Sequence, residues 1–264
     1  MPNWNQLSVN RRPVHAVLLA AGRGKRLAPH TDYVPKPLLE LNGRPLLEYT
    51  IHHLKQVGVL HLLIVVGYRG DMIQSHFGNG HKWGLDITYV EQTAVPGTGA
   101  AALLAESFVD GHPFFLGWGD ILAAGAEHER LFRLFAEGVH EGAMLLEPVA
   151  TPQHGAAVEV IDGRVVSLVE KSVQAKAPWN QAGLAVYTQP IFSALKSITL
   201  SKRGELEFTA AVQKRIDDGA SIAGIPMLCP RLHLTRPKDI QTVENILSTE
   251  DRYAPSIAQY ARDD

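Results

Sequence analysis

The feature that most constrains this chain is a short apolar run, VHAVLLAA at 14–21, that passes directly into the glycine-rich basic segment GRGKRL at 22–27. A run this short and this apolar reads as a buried strand, and glycines directly after it read as a loop at the strand's carboxyl end. Strands buried on both faces belong to sheets covered by helices on both sides, so such a chain must alternate strand and helix. It does. Residues 45–57 carry Leu46, Leu47, Ile51 and Leu54 at helical spacing and end at Gly58, where a helix-terminating glycine belongs. LHLLIVVGY at 60–68 is a second buried strand. A short helix is expected over 71–77, a strand over 85–91, an alanine- and leucine-rich helix over 100–108, and a strand over 113–116 that runs into GWGD. The expected fold is α/β and doubly wound, with a mostly parallel mixed sheet and a ligand beyond the carboxyl ends of its strands.

Past Ala143 the rhythm changes to hairpin-like pieces, AMLLEPVA, AAVEVIDGRVVSLVEK and AGLAVYT, with Asp162-Gly163 placed as a tight turn between two alternating runs. Helices are expected over 206–219 and 237–248, the latter followed by a polar tail, with a strand over 222–228. The chain reads as a single domain, 1–264, in two halves: 13–125, and a β-rich portion with a C-terminal helix at 140–250 that closes over the site. With 264 residues, 45% hydrophobic and 20% charged, the chain has ample core without metal or disulfide, and its net charge of -2 does not suggest nucleic acid. The single cysteine, Cys229, excludes a disulfide framework and suits a reducing compartment. The first fifteen residues hold no apolar signal core, and no stretch approaches the roughly 18 apolar residues of a membrane span, so a cytoplasmic protein with no membrane partner is expected.

The segment from Leu19 to Tyr49 makes sense as a triphosphate cradle. Gly22 and Gly24 let backbone N–H groups approach phosphate oxygens, and Lys25, Arg26 and Lys36 supply positive charge. Glycines alone would serve any strand-to-loop turn; the adjacent cations and the Pro35-Lys36-Pro37 element favour the cradle. GRGKRL lacks the third glycine of the dinucleotide fingerprint, and no P-loop pattern occurs, so the cradle belongs to another class.

These residues resemble the sugar-1-phosphate nucleotidyltransferases, whose signature is a strand, then G-x-G-T-R-L, then x-P-x-T and P-K-P. The chain shows Gly22, Gly24, Arg26, Leu27, Pro29, Thr31 and Pro35-Lys36-Pro37, with Lys25 where threonine is usual. The similarity runs over roughly residues 14–250, closest in pattern to glucose-1-phosphate thymidylyl- and uridylyltransferases. It implies a Rossmann-like nucleotidyltransferase fold whose first half binds nucleotide and whose second half binds sugar phosphate. The implied activity joins an NTP to a sugar 1-phosphate, giving an NDP-sugar and pyrophosphate. Carried over residue by residue, Arg26 and Lys36 hold the nucleotide phosphates, and Ala21, Gly22, Gly24 and Lys25 line the same cradle. Gln92 and Gly97 read a pyrimidine edge. Asp120 binds magnesium. Glu170 and Lys171 contact the sugar and its phosphate, with Gly155 and Asn180 beside them.

One position departs from the family: His233 stands where most members have an aspartate that is the second protein ligand to magnesium. Three accounts fit. Mg²⁺ is held by Asp120, phosphates and water; or a softer ion such as Mn²⁺ is taken with His233; or the domain binds nucleotide-sugar without turnover. The Gln92–Gly97 pair favours dTTP or UTP, a hexose 1-phosphate is the default acceptor, and the family resemblance leaves a homo-oligomer open.

Overall fold

A nine-stranded mixed sheet runs through the protein, in a computed structural model that describes residues 11–171 and 177–254. Its strands are β1 His15–Ala20, β2 His61–Val66, β3 Asp86–Glu91, β4 Phe114–Trp118, β5 Gly142–Pro148, β6 Ala156–Ile161, β7 Arg164–Glu170, β8 Trp179–Tyr187 and β9 Ile222–Pro226. Their spatial order is β3-β2-β1-β4-β8-β5-β9-β7-β6. The first four pair in parallel, His15 of β1 lying opposite both His61 and Phe114. β8 then joins antiparallel to β4 and β5, and β5 and β9 pair in parallel. The doubly wound expectation therefore holds, with the parallel part concentrated in the first half.

Helix α1 Leu46–Gln56, α2 Gly70–Phe77, α3 Thr98–Leu103, α4 Glu106–Val109, α5 Gly125–Glu137, α6 Pro190–Ser197, α7 Phe208–Asp217 and α8 Lys238–Thr249 cover the sheet. The pleat of β1 divides its side chains between two cores. Ala16, Leu18 and Ala20 pack with α1, α2 and α5 through residues such as Ile51, Ile73 and Phe132. Val17 faces the other core, with Ala101 of α3, Phe192 of α6 and Phe208 of α7. Full burial of one such phenylalanine contributes on the order of 2 kcal/mol. The helix expected over 100–108 is two short ones, because Leu104 N and Ala105 N bond back to Ala101 O and Ala102 O in a tightened turn. Two of these helices, α5 and α6, and a single helical turn at His30–Tyr33 go beyond the sequence expectations.

In the second half, β6 and β7 form the expected hairpin, with Asp162 at φ 49° and Gly163 at φ 76°, as a two-residue primed turn requires. The free edge of β6 also pairs with the start of β8, Asn180 opposite Ala157, so five strands close into a ring. A third core joins α8 to the first half: Val243 and Leu247 pack with Leu27, Leu39 and Leu122. The C-terminal helix thus braces the segments on either side of the basic loop. The polar tail after Ala254 lies outside the described residues. Among the described residues no helix is long and apolar enough to cross a membrane.

Candidate functional site

Strand order reverses between β1 and β4, and loops leaving two neighbouring parallel strands in opposite directions open a crevice at their carboxyl ends. A cleft of about 440 Å³ lies there, in the size range of small-ligand sites. Ala21, Gly22, Gly24, Lys25, Arg26, Lys36, Gln92, Gly97 and Asp120 all line it, so nine residues selected from the sequence converge on one cavity.

The floor is an ion pair. Lys36 Nζ lies 2.6 Å from Asp120 Oδ2, the lysine side chain 11% exposed and the aspartate 39%. Pro35 and Pro37 fix the Lys36 turn, which closes with Leu38 N on Pro35 O and Leu39 N on Lys36 O. The Lys36 stem runs beneath Gly24, where a Cβ would come within 3.2 Å of Lys36 Cβ, and Gly24 itself is left-handed at φ 68°. Glycine is required there both by the backbone and by the lysine under it. Gly22 has open space at its Cβ position, so its lack of a side chain leaves the backbone accessible to a ligand. Thr31 Oγ1 donates to Gly24 O and holds the loop from the other side. Lys25 and Arg26 are exposed and, among the described residues, form no ion pair, whereas Lys36 is neutralised by Asp120.

The opposite wall is the loop after β3. Gln92 donates its side-chain amide to Val95 O (3.0 Å) and Gly97 O (3.1 Å). With both N–H bonds spent inside the loop, the Gln92 side chain presents its carbonyl oxygen as the group open to a ligand. Gly97, at φ 112°, lies against Leu206: a Cβ there would collide with the Leu206 carbonyl and sit 2.8 Å from its nitrogen. Leu206 N bonds to Pro96 O, Gly99 N to Leu206 O, and Phe208 N to Thr98 Oγ1, so the loop is stapled to the start of α7.

Gly155, Glu170, Lys171 and Asn180 do not line this cavity; they group beside it. Lys171 N bonds to Gly155 O, and Lys171 Nζ lies 3.5 Å from Glu170. Asn180 is buried behind Gly155 and donates to Pro152 O and Trp179 O, holding the 152–155 turn. Arg203, which the sequence reading passed over, links the group to the cleft: its Nη2 lies 3.9 Å from Glu170, 3.0 Å from Glu207 and 3.3 Å from Glu205, and Glu205 lines the cavity. Trp118 and Thr235 line it as well.

His233 pairs with Ile121 across a two-stranded ladder, beside Asp120. Its ring Nε2 contacts Thr235 Oγ1 at 2.7 Å. Desolvation lowers its pKa, the charges of Arg231 and Lys36 add to the effect, and Asp120 and Glu147 oppose it, so the imidazole is neutral at pH 7. Arg231 is itself paired to Glu147 at 2.6 Å. Among the described residues no cluster of three or more histidine, cysteine, aspartate or glutamate side chains is arranged to hold a metal. The donor set fits a hard divalent cation only as a site with one protein carboxylate, Asp120, the other ligands coming from phosphate and water.

The glucose-1-phosphate thymidylyltransferase of Streptomyces antibioticus is 35% identical over 209 residues, a span covering 78% of this chain and 58% of that protein. The UTP–glucose-1-phosphate uridylyltransferase AglF of Haloferax volcanii is 30% identical over 244 residues, covering 91% of this chain and 99% of AglF. The chain therefore spans less than two thirds of the first relative and nearly all of the second. A UDP-glucose pyrophosphorylase solved with UDP-glucose superposes with a TM-score of 0.80 at 20% identity over 90% of this chain and 99% of that one, a likeness of fold. Residues 15–227, from β1 through the end of β9, match the nucleotidyl transferase family, and the chain belongs to it.

Proposed function

We propose that this protein transfers a nucleotidyl group from an NTP to a sugar 1-phosphate, releasing pyrophosphate and an NDP-sugar. The observation that carries the proposal is the convergence of the basic glycine loop, the Lys36–Asp120 pair and the Gln92–Gly97 loop on one cleft at the switch point. The acceptor phosphate is already ionised, so no general base is required; the task is to bring two anions together and stabilise the charge of the leaving group. A non-bridging oxygen of the sugar phosphate attacks the α-phosphorus, and the bond from that phosphorus to the α–β bridging oxygen of the NTP breaks, that oxygen leaving as a terminal oxygen of pyrophosphate.

Arg26, Lys25 and the N–H groups around Gly22 and Gly24 bind the triphosphate. Lys36 sits beneath the same loop and orients Asp120. Lys171, at the rim of the neighbouring group, binds the acceptor phosphate, while Glu170 and the turn held by Asn180 receive the sugar. Asp120 would hold Mg²⁺ or Mn²⁺, which when bound supplies positive charge to the phosphates. The exposed carbonyl of Gln92 accepts the N3–H of uracil or thymine, whereas N3 of cytosine is an acceptor and would oppose it. UTP or dTTP is the donor on that account, in keeping with the names of the two relatives. Residues 13–125 form the nucleotide half and 140–250 the sugar-phosphate half.

A second reading, nucleotide-sugar binding without turnover, is favoured by one feature: the His233 ring, engaged with Thr235, stands beside Asp120, and among the described residues no cluster of three or more histidine, cysteine, aspartate or glutamate side chains is arranged to hold a metal. Pyrophosphate release across a panel of NTPs and sugar 1-phosphates, with Mg²⁺ or Mn²⁺, separates the two. Release from one pair that disappears in Asp120→Ala supports the enzyme; nucleotide-sugar binding with no release from any pair supports the binding module.

A further inference from the structure

Three segments meet at the open side of the cleft without a role assigned to their contacts: the tip of the glycine loop, the turn at 30–33, and the loop after β2. Tyr68 N bonds to Ala21 O (3.1 Å), which ties the end of β2 to the root of the glycine loop. The Tyr68 hydroxyl donates to the Asp32 carbonyl (3.0 Å), and Arg69 Nη2 donates to the same oxygen (2.9 Å). Arg69 Nε also reaches the Tyr68 hydroxyl oxygen at 3.0 Å.

The Tyr68 ring is flanked by two guanidinium groups, Arg23 at 5.1 Å and Arg69 at 5.5 Å from its centroid, within cation-π range. Arg23, at the tip of the glycine loop, faces the Asp32 carboxylate at 3.9 Å as well. Arg69 enters this arrangement in the left-handed conformation, φ 52°, which a residue with a Cβ adopts at a cost that neighbouring contacts must offset. Tyr68 also lines a second lobe of the cleft, about 480 Å³, together with Ala21, Gly22, Gln92 and Gly97. One side of this tyrosine therefore faces the nucleotide lobe, and the other holds the phosphate loop.

We propose that Tyr68 is a positioning residue for the nucleotide: with Arg69 and the Asp32 carbonyl it clasps the 22–33 segment in the setting that receives the triphosphate. The proposal rests on reading the cleft as the nucleotide site. The clasp itself is open to a test that needs no turnover. Amide hydrogen exchange over 22–33 should quicken about tenfold in Tyr68→Ala, as expected when local contacts rather than the global fold protect a loop. In the same variant the KM for the NTP should rise about tenfold, the net loss of two solvent-exposed hydrogen bonds and two cation-π contacts, with the sugar-phosphate KM and kcat within about threefold of wild type.

Tyr68→Phe keeps the ring and loses only the hydroxyl, and it should fall between the two in both measurements. Unchanged exchange in Tyr68→Ala overturns the clasp. So does a matched rise in both Michaelis constants, which would mark a general loss of structure. If the wild-type protein makes no product while Tyr68→Ala still loosens the loop, the functional reading fails and the clasp stands.

Discussion

Replacing Lys36 by methionine tests the floor of the cleft. Methionine keeps most of the stem that lies under Gly24 and removes the charge, so packing is conserved and only the ion pair to Asp120 is lost. A hydrogen bond to a charged group is worth about 1.5–3 kcal/mol when well shielded. Asp120 is 39% exposed, so water compensates part of the loss, and a destabilisation of about 1 kcal/mol is expected. For a chain of this size that corresponds to a drop of about 2–4 °C in melting temperature. Activity should suffer far more. On the proposed function Lys36 orients Asp120 and adds positive charge beside the triphosphate, and loss of one such preorganised group costs about 100-fold or more in turnover. Differential scanning fluorimetry and initial rates of pyrophosphate release measure the two quantities on one sample. Turnover within threefold of wild type would refute the assignment of Lys36, and a fall of more than about 10 °C would mean that the pair is chiefly structural.

Gly97→Ala should destabilise the protein by about 2–4 kcal/mol, since the new methyl meets the Leu206 backbone in a conformation that strains any residue but glycine; urea denaturation reads it directly. Acid should act through one buried and two half-buried histidines. Burial holds His15 and His52 at about 4 and His128 at about 3, all below the unfolded value of 6.5. In that window the unfolded chain binds more protons, so stability is full above pH 6.5 and falls as the pH drops toward 4. His128 alone accounts for about 2 kcal/mol between pH 7 and pH 5. Denaturant midpoints at those two pH values check it, and His128→Phe, which keeps a ring in the site and removes the titration, should flatten the slope. Lys171→Ala should raise the KM for the sugar phosphate at least tenfold, one lost charge-assisted contact, with the NTP KM unchanged in steady-state assays.

The first half was legible because its signals are local. A buried strand, a glycine loop and a proline-flanked lysine are contiguous in sequence, and their convergence with Gln92 and Asp120 follows from parallel strands ending at the same side of a sheet. Helix α5 was not among the expectations, although Leu131, Phe132 and Phe135 fall on one face and all three are fully buried. Helix α6 was harder to see, being short and starting at Pro190. The contacts that hold the site in place were not legible. Leu206 stapling Gly97, Arg203 bridging Glu170 to Glu205, and Tyr68 reaching Asp32 are long-range meetings that no periodicity encodes. The ring of β5 through β9 likewise depends on β8 pairing with β6 as well as with its sheet neighbours, a closure visible only in three dimensions. His233 was singled out as a departure from the family pattern, and the structure adds its ladder partner Ile121 and its bond to Thr235.

The most direct test of the central claim follows the oxygen atoms. Sugar 1-phosphate labelled with ¹⁸O in its non-bridging phosphate oxygens, incubated with unlabelled UTP or dTTP, is examined by ³¹P NMR for isotope shifts. Attack by the sugar phosphate on the α-phosphorus predicts that all of the label appears in the NDP-sugar, one labelled oxygen bridging its two phosphorus atoms, and none in pyrophosphate. Label in pyrophosphate, or no NDP-sugar with either nucleotide, would contradict the account.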